Sequence, residues 1–388
     1  MGKRKVIWLL LWILSLAGIS FYGGAVSYGL FYALLLLPIV SFAYLLCVYF
    51  RFRIYQEAES REMVCGQAMP YYFVLRNEDH FGFASVRVRM FPDFSYMENL
   101  EEETEYELLP GDEFIYRTHL ICRYRGEYEV GVKEVILTDF FGIFRFRYPI
   151  IGTIRAIVRP KLVELHEIRG LSDIIVDLHR ESRFGGSEPD VVVRDYVQGD
   201  SLKRIHWKAS AREQIWKVRT DIGEEKNGVR MIFDTGRYSS KPGEYIPLES
   251  KMLELLLALG MFFAKRSVPV SAYYSHGEIR SCEVTGIRQF EDLYQKMSEV
   301  CFDEEEDPLL LMEGLREQGA LAEARVVIGV FHKWDQTMMQ AAEKILEEGP
   351  VFLAYVVTDE DLSRDFGPNT ARKKIIAVPI DAELEEVL

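Results

Sequence analysis

The densest group of chemically capable side chains lies near the middle of the chain: Arg194, Tyr196, Gly199, Asp200, Arg204, Trp207, Lys208, Arg212 and Arg219. Gly199 supplies a turn, and Asp200 can cap a helix that begins at Ser201. On such a helix Arg204, Lys208 and Arg212 recur at i, i+4 and i+8, drifting only about 40° per step around one face. Clustered guanidinium and ammonium groups suit an anionic partner or a phosphate. The competing reading pairs them internally with Asp195, Asp200, Glu224 and Glu225, and in an acidic chain that pairing is the expectation. Ile205 and Trp207 point away from the stripe and are expected in the core. A strand-like stretch follows at residues 215–219.

Other residue types give weaker chemistry. The seven histidines never recur at helical spacing that would hold zinc, and the five cysteines are scattered, with no CxxC pair. A P-loop and a nucleophile elbow are both missing from the sequence, and Gly185-Gly186-Ser187 lacks the strand–loop–helix setting of a phosphate cradle. The chain is therefore expected not to be an enzyme. The acidic run 303–307 suggests calcium at first sight. Its local explanation is better, since Asp307 caps a helix whose first residue is Pro308, and carboxylates favour helix N-termini.

These residues must be positioned by a chain of 388 residues with 46 basic and 60 acidic side chains, a formal charge of −14. That length allows two or three domains, and the acidic balance argues against nucleic-acid binding. The charge is unevenly spread. Residues 6–50 contain no Asp, Glu, Lys or Arg. As one helix this tract would be about 68 Å long, more than twice a bilayer core of ~30 Å. It is expected to cross twice, at about 6–23 and 28–50, breaking at Gly23-Gly24. A cleaved signal peptide fits less well, because the apolar tract carries straight on. Lys3, Arg4 and Lys5 before the first span, with Arg51 and Arg53 after the second, place both ends and the soluble remainder in the cytoplasm of a multi-pass membrane protein.

Residues 55–165 alternate in the manner of strands, notably at 69–76, 84–91 and 114–124, with turn residues between them. This predicts an antiparallel β-sandwich of immunoglobulin-like type, with Arg87 and Arg89 on a solvent face. A connector, 166–228, carries the basic segment. From 229 the pattern becomes α/β: strands near 229–234, 268–274, 280–284, 325–331, 351–357 and 374–380 alternate with helices near 248–266, 289–300, 309–323 and 335–348. Such alternation predicts a mostly parallel sheet covered on both faces.

The middle segment resembles the signature of the DUF fifty-eight family of bacterial and archaeal membrane proteins, approximately R-x-Y-x-x-G-D-x-x-R-x-I-x-W-K-x-S-A-R, at Arg194, Tyr196, Gly199, Asp200, Arg204, Ile205, Trp207, Lys208, Ser210, Ala211 and Arg212. Upstream, Arg125, Gly126, Tyr128 and Gly131 resemble the family's R-G-x-Y-x-x-G, and residues 139–144 resemble its D-P-F-G-L-F with Phe140 in place of proline. His206 departs from the family's usual aspartate. The resemblance implies a von Willebrand factor A-like, Rossmann-like domain over 229–388. Such domains often hold Mg²⁺ through D-x-S-x-S at the end of the first strand. Here Asp234 is in place, but Gly236 and Tyr238 stand where the serines belong, leaving Ser239 and Asp335 as substitute ligands of a degenerate site expected to be empty. The resemblance also implies a binding or scaffold protein that docks a MoxR-type AAA+ ATPase, with a transglutaminase-like membrane protein as a possible companion. The alternative is an Mg-dependent adhesion-type module using Asp234.

Overall fold

Gly23 and Gly24 take φ values of 55° and 90°, a left-handed backbone that glycine reaches without a Cβ penalty. They break the apolar tract into α1 (Lys3–Tyr22) and α2 (Ala25–Arg51) in a computed structural model that describes residues 3–150, 152–168, 192–195, 207–220, 228–321, 324–358, 369–370 and 372–388. The two helices pack on each other. The Trp8 indole donates to the Leu34 carbonyl at 3.2 Å, and the Trp12 and Phe31 rings lie 6.1 Å apart. Both helices are long and apolar enough to cross a membrane. The last third of α2 differs from the rest. Ser41, Leu45 and Val48 are buried there, on one helical face.

The chain divides into two compact units, Met1–Lys161 and Leu162–Leu388. In the first, α2 leads into eleven strands among the described residues. They are β1 (Arg53–Ala58), β2 (Glu62–Val64), β3 (Ala68–Arg76), β4 (Phe83–Met90), β5 (Ser95–Met97), β6 (Glu103–Leu108), β7 (Glu113–Cys122), β8 (Gly126–Val130), β9 (Val132–Thr138), β10 (Arg145–Pro149) and β11 (Ile154–Arg159). Two four-stranded antiparallel sheets form, β1-β3-β7-β5 and β10-β9-β4-β6, with a three-stranded sheet β2-β11-β8 beside them. Alternate residues of both larger sheets, among them Tyr71, Phe73, Leu75, Val86, Val88, Val135 and Leu137, share one core with Leu45, Val48 and Phe52. Arg87 and Arg89 do line a polar face. They pair across strands with Glu103, Glu105 and Glu134.

In the second unit β12 (Val192–Asp195) and β13 (Lys217–Thr220) form an antiparallel ribbon, with α3 (Trp207–Glu213) between them in sequence. Then follow β14 (Val229–Phe233), α4 (Pro242–Lys265), β15 (Val270–His276), β16 (Glu278–Val284), α5 (Ile287–Glu299), α6 (Pro308–Glu317), β17 (Val326–Phe331), α7 (Gln336–Glu347), β18 (Val351–Thr358), β19 (Lys373–Pro379) and α8 (Leu384–Val387). The sheet order is β16-β15-β14-β17-β18-β19. All pairs are parallel except β15–β16. Counted from β14, this is the doubly wound order 3-2-1-4-5-6 with an antiparallel third strand. The central strands are buried along their length, β17 at every position, because helices cover both faces.

Candidate functional site

The chain leaves β14 towards β15 and later enters β17 on the other side, so the loops after β14 and β17 diverge at the switch point where doubly wound sheets bind ligands. Asp234 and His332 are the first residues beyond these two strands. Asp234 has no exposed surface. Its Oδ1 accepts the Gly236 amide at 2.8 Å, while Oδ2 accepts the His332 amide at 3.1 Å and lies 2.5 Å from His332 Nδ1. Tyr238 stacks on the His332 ring with centroids 6.0 Å apart, and its hydroxyl donates to the Glu244 carbonyl at 2.8 Å.

The acidic run closes this loop from the other side. Gly236 bridges to Asp303, the Arg237 amide donates to the Asp303 carbonyl at 2.8 Å, and the Asp303 amide donates to the Thr235 carbonyl at 3.1 Å. A Cβ at position 236 would lie 2.7 Å from the Glu306 carbonyl oxygen, 3.1 Å from Asp234 Oδ1 and 3.2 Å from His332 Cε1. Glycine is there because a serine does not fit. The Glu306 carboxylate in turn accepts the Ser275 hydroxyl and, at 2.6 Å, the Gly277 amide. Asp307 accepts the Leu309 amide at 2.9 Å and caps α6, with Pro308 at its first turn.

The expected metal ligands are not gathered around one point. Ser239 donates to Glu244 at 2.6 Å. Asp335 caps α7, accepting the Met338 amide at 3.0 Å and the Thr337 hydroxyl at 2.5 Å, and pairs with Lys333 at 3.1 Å. The Thr337 hydroxyl above all, with the Met338 amide, holds its carboxyl down at about 2. Arg237 is drawn away from Asp234, into a two-pronged pair with the buried Glu249 at 2.7 and 3.3 Å and over the Tyr245 ring at 4.0 Å. Among the described residues no three His, Cys, Asp or Glu side chains converge as a metal site would need. Mg²⁺ demands an octahedral set of oxygens and retained waters. Both Asp234 oxygens instead face N–H donors, so the residues present do not fit that ion. His332 was missed from sequence, because a lone histidine after an apolar strand carries no spacing signal.

In the signature segment, Tyr196, Gly199, Asp200, Arg204 and Ile205 lie outside the described residues, as do the cap at Asp200 and the start of the basic stripe. Arg194 pairs with Val218, and Val193 with Arg219, so the two arginines sit on neighbouring rungs of the β12–β13 ribbon. Lys208 and Arg212 lie on α3, and Arg212 is exposed. Trp207 corrects the expectation of a core residue, being 68% exposed. The seven-residue α3 is tied to β13 by the Lys217 amide, which donates to the Ser210 hydroxyl at 2.9 Å, and this leaves the Trp207 side in solvent. Ile215 and Trp216, each 54% exposed, adjoin it, and the two indoles lie 6.3 Å apart.

The chain matches no family model. It also matches no curated protein. Among solved structures it is similar to proximal thread matrix protein 1 from the mussel byssus, at 14% identity and TM-score 0.27 over 34% of this chain. It covers 37% of that protein, little more than a third of its length. It is also similar to the VWA domain of SpRpn10, at 6% identity and TM-score 0.30 over 41% of this chain and 92% of that one. The DUF fifty-eight resemblance accordingly rests on the quoted motifs alone.

Proposed function

We propose that this protein is a non-enzymatic, membrane-anchored binding module of DUF fifty-eight type, whose second unit, a von Willebrand factor A-like domain, docks a partner through the signature segment. The observation that carries this reading is the exposed Trp207–Ile215–Trp216 surface, with Arg212 exposed on the same short helix as Trp207. Two neighbouring solvent-facing tryptophans are unusual on a free surface, and Trp and Arg dominate the energetic centres of protein interfaces. The strand order with its antiparallel third strand supports the A-like assignment. A tyrosine corner supports the immunoglobulin-like reading of the first unit: the Tyr128 hydroxyl donates to the Tyr124 carbonyl at 2.6 Å.

The partner is a MoxR-type AAA+ ATPase, with a transglutaminase-like membrane protein as companion. The ATPase supplies work, and this chain supplies address and specificity from the cytoplasmic face of the membrane. Docking needs no Mg²⁺ at Asp234, whose oxygens are already engaged.

The test is affinity capture of the tagged, detergent-solubilised full chain from its own host, with and without ATP, read by mass spectrometry. Recovery of an AAA+ ATPase that responds to nucleotide, and its loss from a Trp207→Ser/Trp216→Ser chain, is expected. A well-folded chain that recovers no ATPase contradicts the reading.

A further inference from the structure

The sequence motif at residues 139–144 forms a turn at the top of β9 that is braced against α2. Asp139 is buried. Its Oδ1 accepts the Phe144 amide at 2.7 Å, its Oδ2 accepts the Phe141 amide at 3.2 Å, and the Ser41 hydroxyl of α2 donates to the same Oδ2. The Gly142 amide closes the turn on the Asp139 carbonyl at 3.0 Å. Beyond this brace two successive phenylalanines are turned outward: Phe140 is 62% exposed and Phe141 is 53% exposed. The Phe140 ring lies 4.4 Å from Tyr44 on α2, and Phe42 packs edge-on against Phe144 and Phe146. A fixed turn thus offers a bare aromatic tip directly beside an apolar helix.

The same contacts locate where lipid must end. Past Ser41, one face of α2 is covered by the β-strands, through Leu45 and Val48. The Tyr44 hydroxyl donates to the Gly82 carbonyl at 2.8 Å and accepts the Ala84 amide at 3.1 Å. The start of β4 thus packs on α2 at this level, and the irregular backbone that leads into a strand is not exposed to hydrocarbon. On α1 the corresponding level is Lys5, whose ammonium lies 6.0 Å from the Phe144 ring. Between these markers residues 6–22 and 25–41 each span about 25 Å as helix, close to a core of ~30 Å. Residues 42–51 then extend about 15 Å further as a stalk outside the core.

We propose that the Phe140–Phe141 turn is a fixed interfacial anchor, seated in the boundary between headgroups and acyl chains beside α2, and that the bilayer ends near Ser41 instead of near Arg51. The inference rests on the reading of α1 and α2 as a membrane hairpin. The occupant is lipid, because the tip adjoins the outward apolar surface of α2, where Phe42 and Leu46 are also exposed. Tyrosines such as Tyr44 favour this depth, and phenylalanines are used on the apolar face of interfacial segments. The anchor fixes the tilt of the first unit on the membrane, which a hairpin alone leaves free.

The test uses the full chain in phosphatidylcholine vesicles, with the accessible Cys47, Cys65 and Cys301 replaced by serine. Cys122 and Cys282 stay, because both are buried; burial also pushes the Cys122 thiol up to about 11, which suppresses its labelling. Spin labels are placed singly at Leu36→Cys, Phe50→Cys, Glu101→Cys and Phe141→Cys, all exposed positions. Collision rates with oxygen and with a water-soluble nickel chelate are then compared. Labels at 36 and 141 should favour oxygen several-fold over those at 50 and 101. A label at 141 that behaves like 101 overturns the anchor, and a label at 50 that behaves like 36 overturns the stalk. Dipolar broadening between 141 labels would make a second copy the occupant and also overturn the proposal. If position 36 itself reads as aqueous, the hairpin fails first and the anchor with it.

Discussion

Replacing Asp234 by asparagine separates a structural carboxylate from a metal ligand. Two amide N–H groups, of Gly236 and His332, converge on this buried side chain, and His332 Nδ1 lies 2.5 Å from Oδ2. Asparagine keeps one acceptor oxygen and replaces the other with an amide donor. Whichever way it turns, at least one buried N–H meets another donor, and the charge on the acceptor is lost. An unsatisfied buried group costs about 1–3 kcal/mol, and bonds to a charged acceptor are stronger than neutral ones, so a loss of about 2–4 kcal/mol is expected. For a unit of this size that lowers the melting temperature by roughly 5–15 °C. Near-ultraviolet circular dichroism suits the measurement, because Trp334 packs 5.6 Å from Phe331, beside His332, and 6.2 Å from Phe352 in this unit. The loss should be the same in EDTA and in millimolar Mg²⁺. The reasoning is refuted if Asp234→Asn melts with the parent chain, or if Mg²⁺ stabilises the parent and not the variant.

Three further outcomes follow from the same geometry. Gly236→Ser, which restores a residue of the metal motif, should destabilise the unit by about 1–3 kcal/mol through overpacking against the Glu306 carbonyl, with no Mg²⁺-dependent recovery in denaturant titration. Arg237→Ala should cost about 2–4 kcal/mol in the same titration, because it removes a guanidinium from the buried carboxylate of Glu249, whereas breaking an exposed pair such as Lys241–Glu244 should leave stability almost unchanged. Asp335 has a folded pKa of about 2, below its ordinary value of 3.8, so its ionised form stabilises the fold above about pH 4. The stability difference between the parent chain and Asp335→Asn should therefore be constant from neutrality to about pH 4, then shrink as pH falls through about 2.

Much of this architecture was legible in sequence because its signals are local. The strands near 69–76, 325–331 and 351–357 announce themselves by alternation or by short apolar runs, and Asp307-Pro308 marks a helix start that the structure has. Legibility failed where the answer depended on what lies across a contact. The helix expected from 248 begins at Pro242, because proline is favoured at the first helical position, and it runs on through Pro247. Hydropathy reads residues 28–50 as one apolar span and does not tell that Leu45 and Val48 on it pack against the β-strands, because apolar side chains look alike in either setting. Facing away from the basic stripe predicts Trp207 in the core, but a short helix beside a two-stranded ribbon leaves it in solvent. Asp234 was legible as a strand-end carboxylate. Its partner His332 lies just past a strand distant in sequence, and only the register that pairs Phe233 with Val330 brings the two together.

The most direct test of the central claim is site-specific photocrosslinking in the native membrane. A benzophenone amino acid replaces Ile215, between the two exposed tryptophans, in the full chain, and replaces Glu101 in a control chain. The account predicts an adduct between position 215 and an AAA+ ATPase subunit that depends on nucleotide, with none from position 101. An ATPase adduct from position 101 alone, or no ATPase adduct from 215 in a chain that is folded and inserted, would contradict docking through the signature segment.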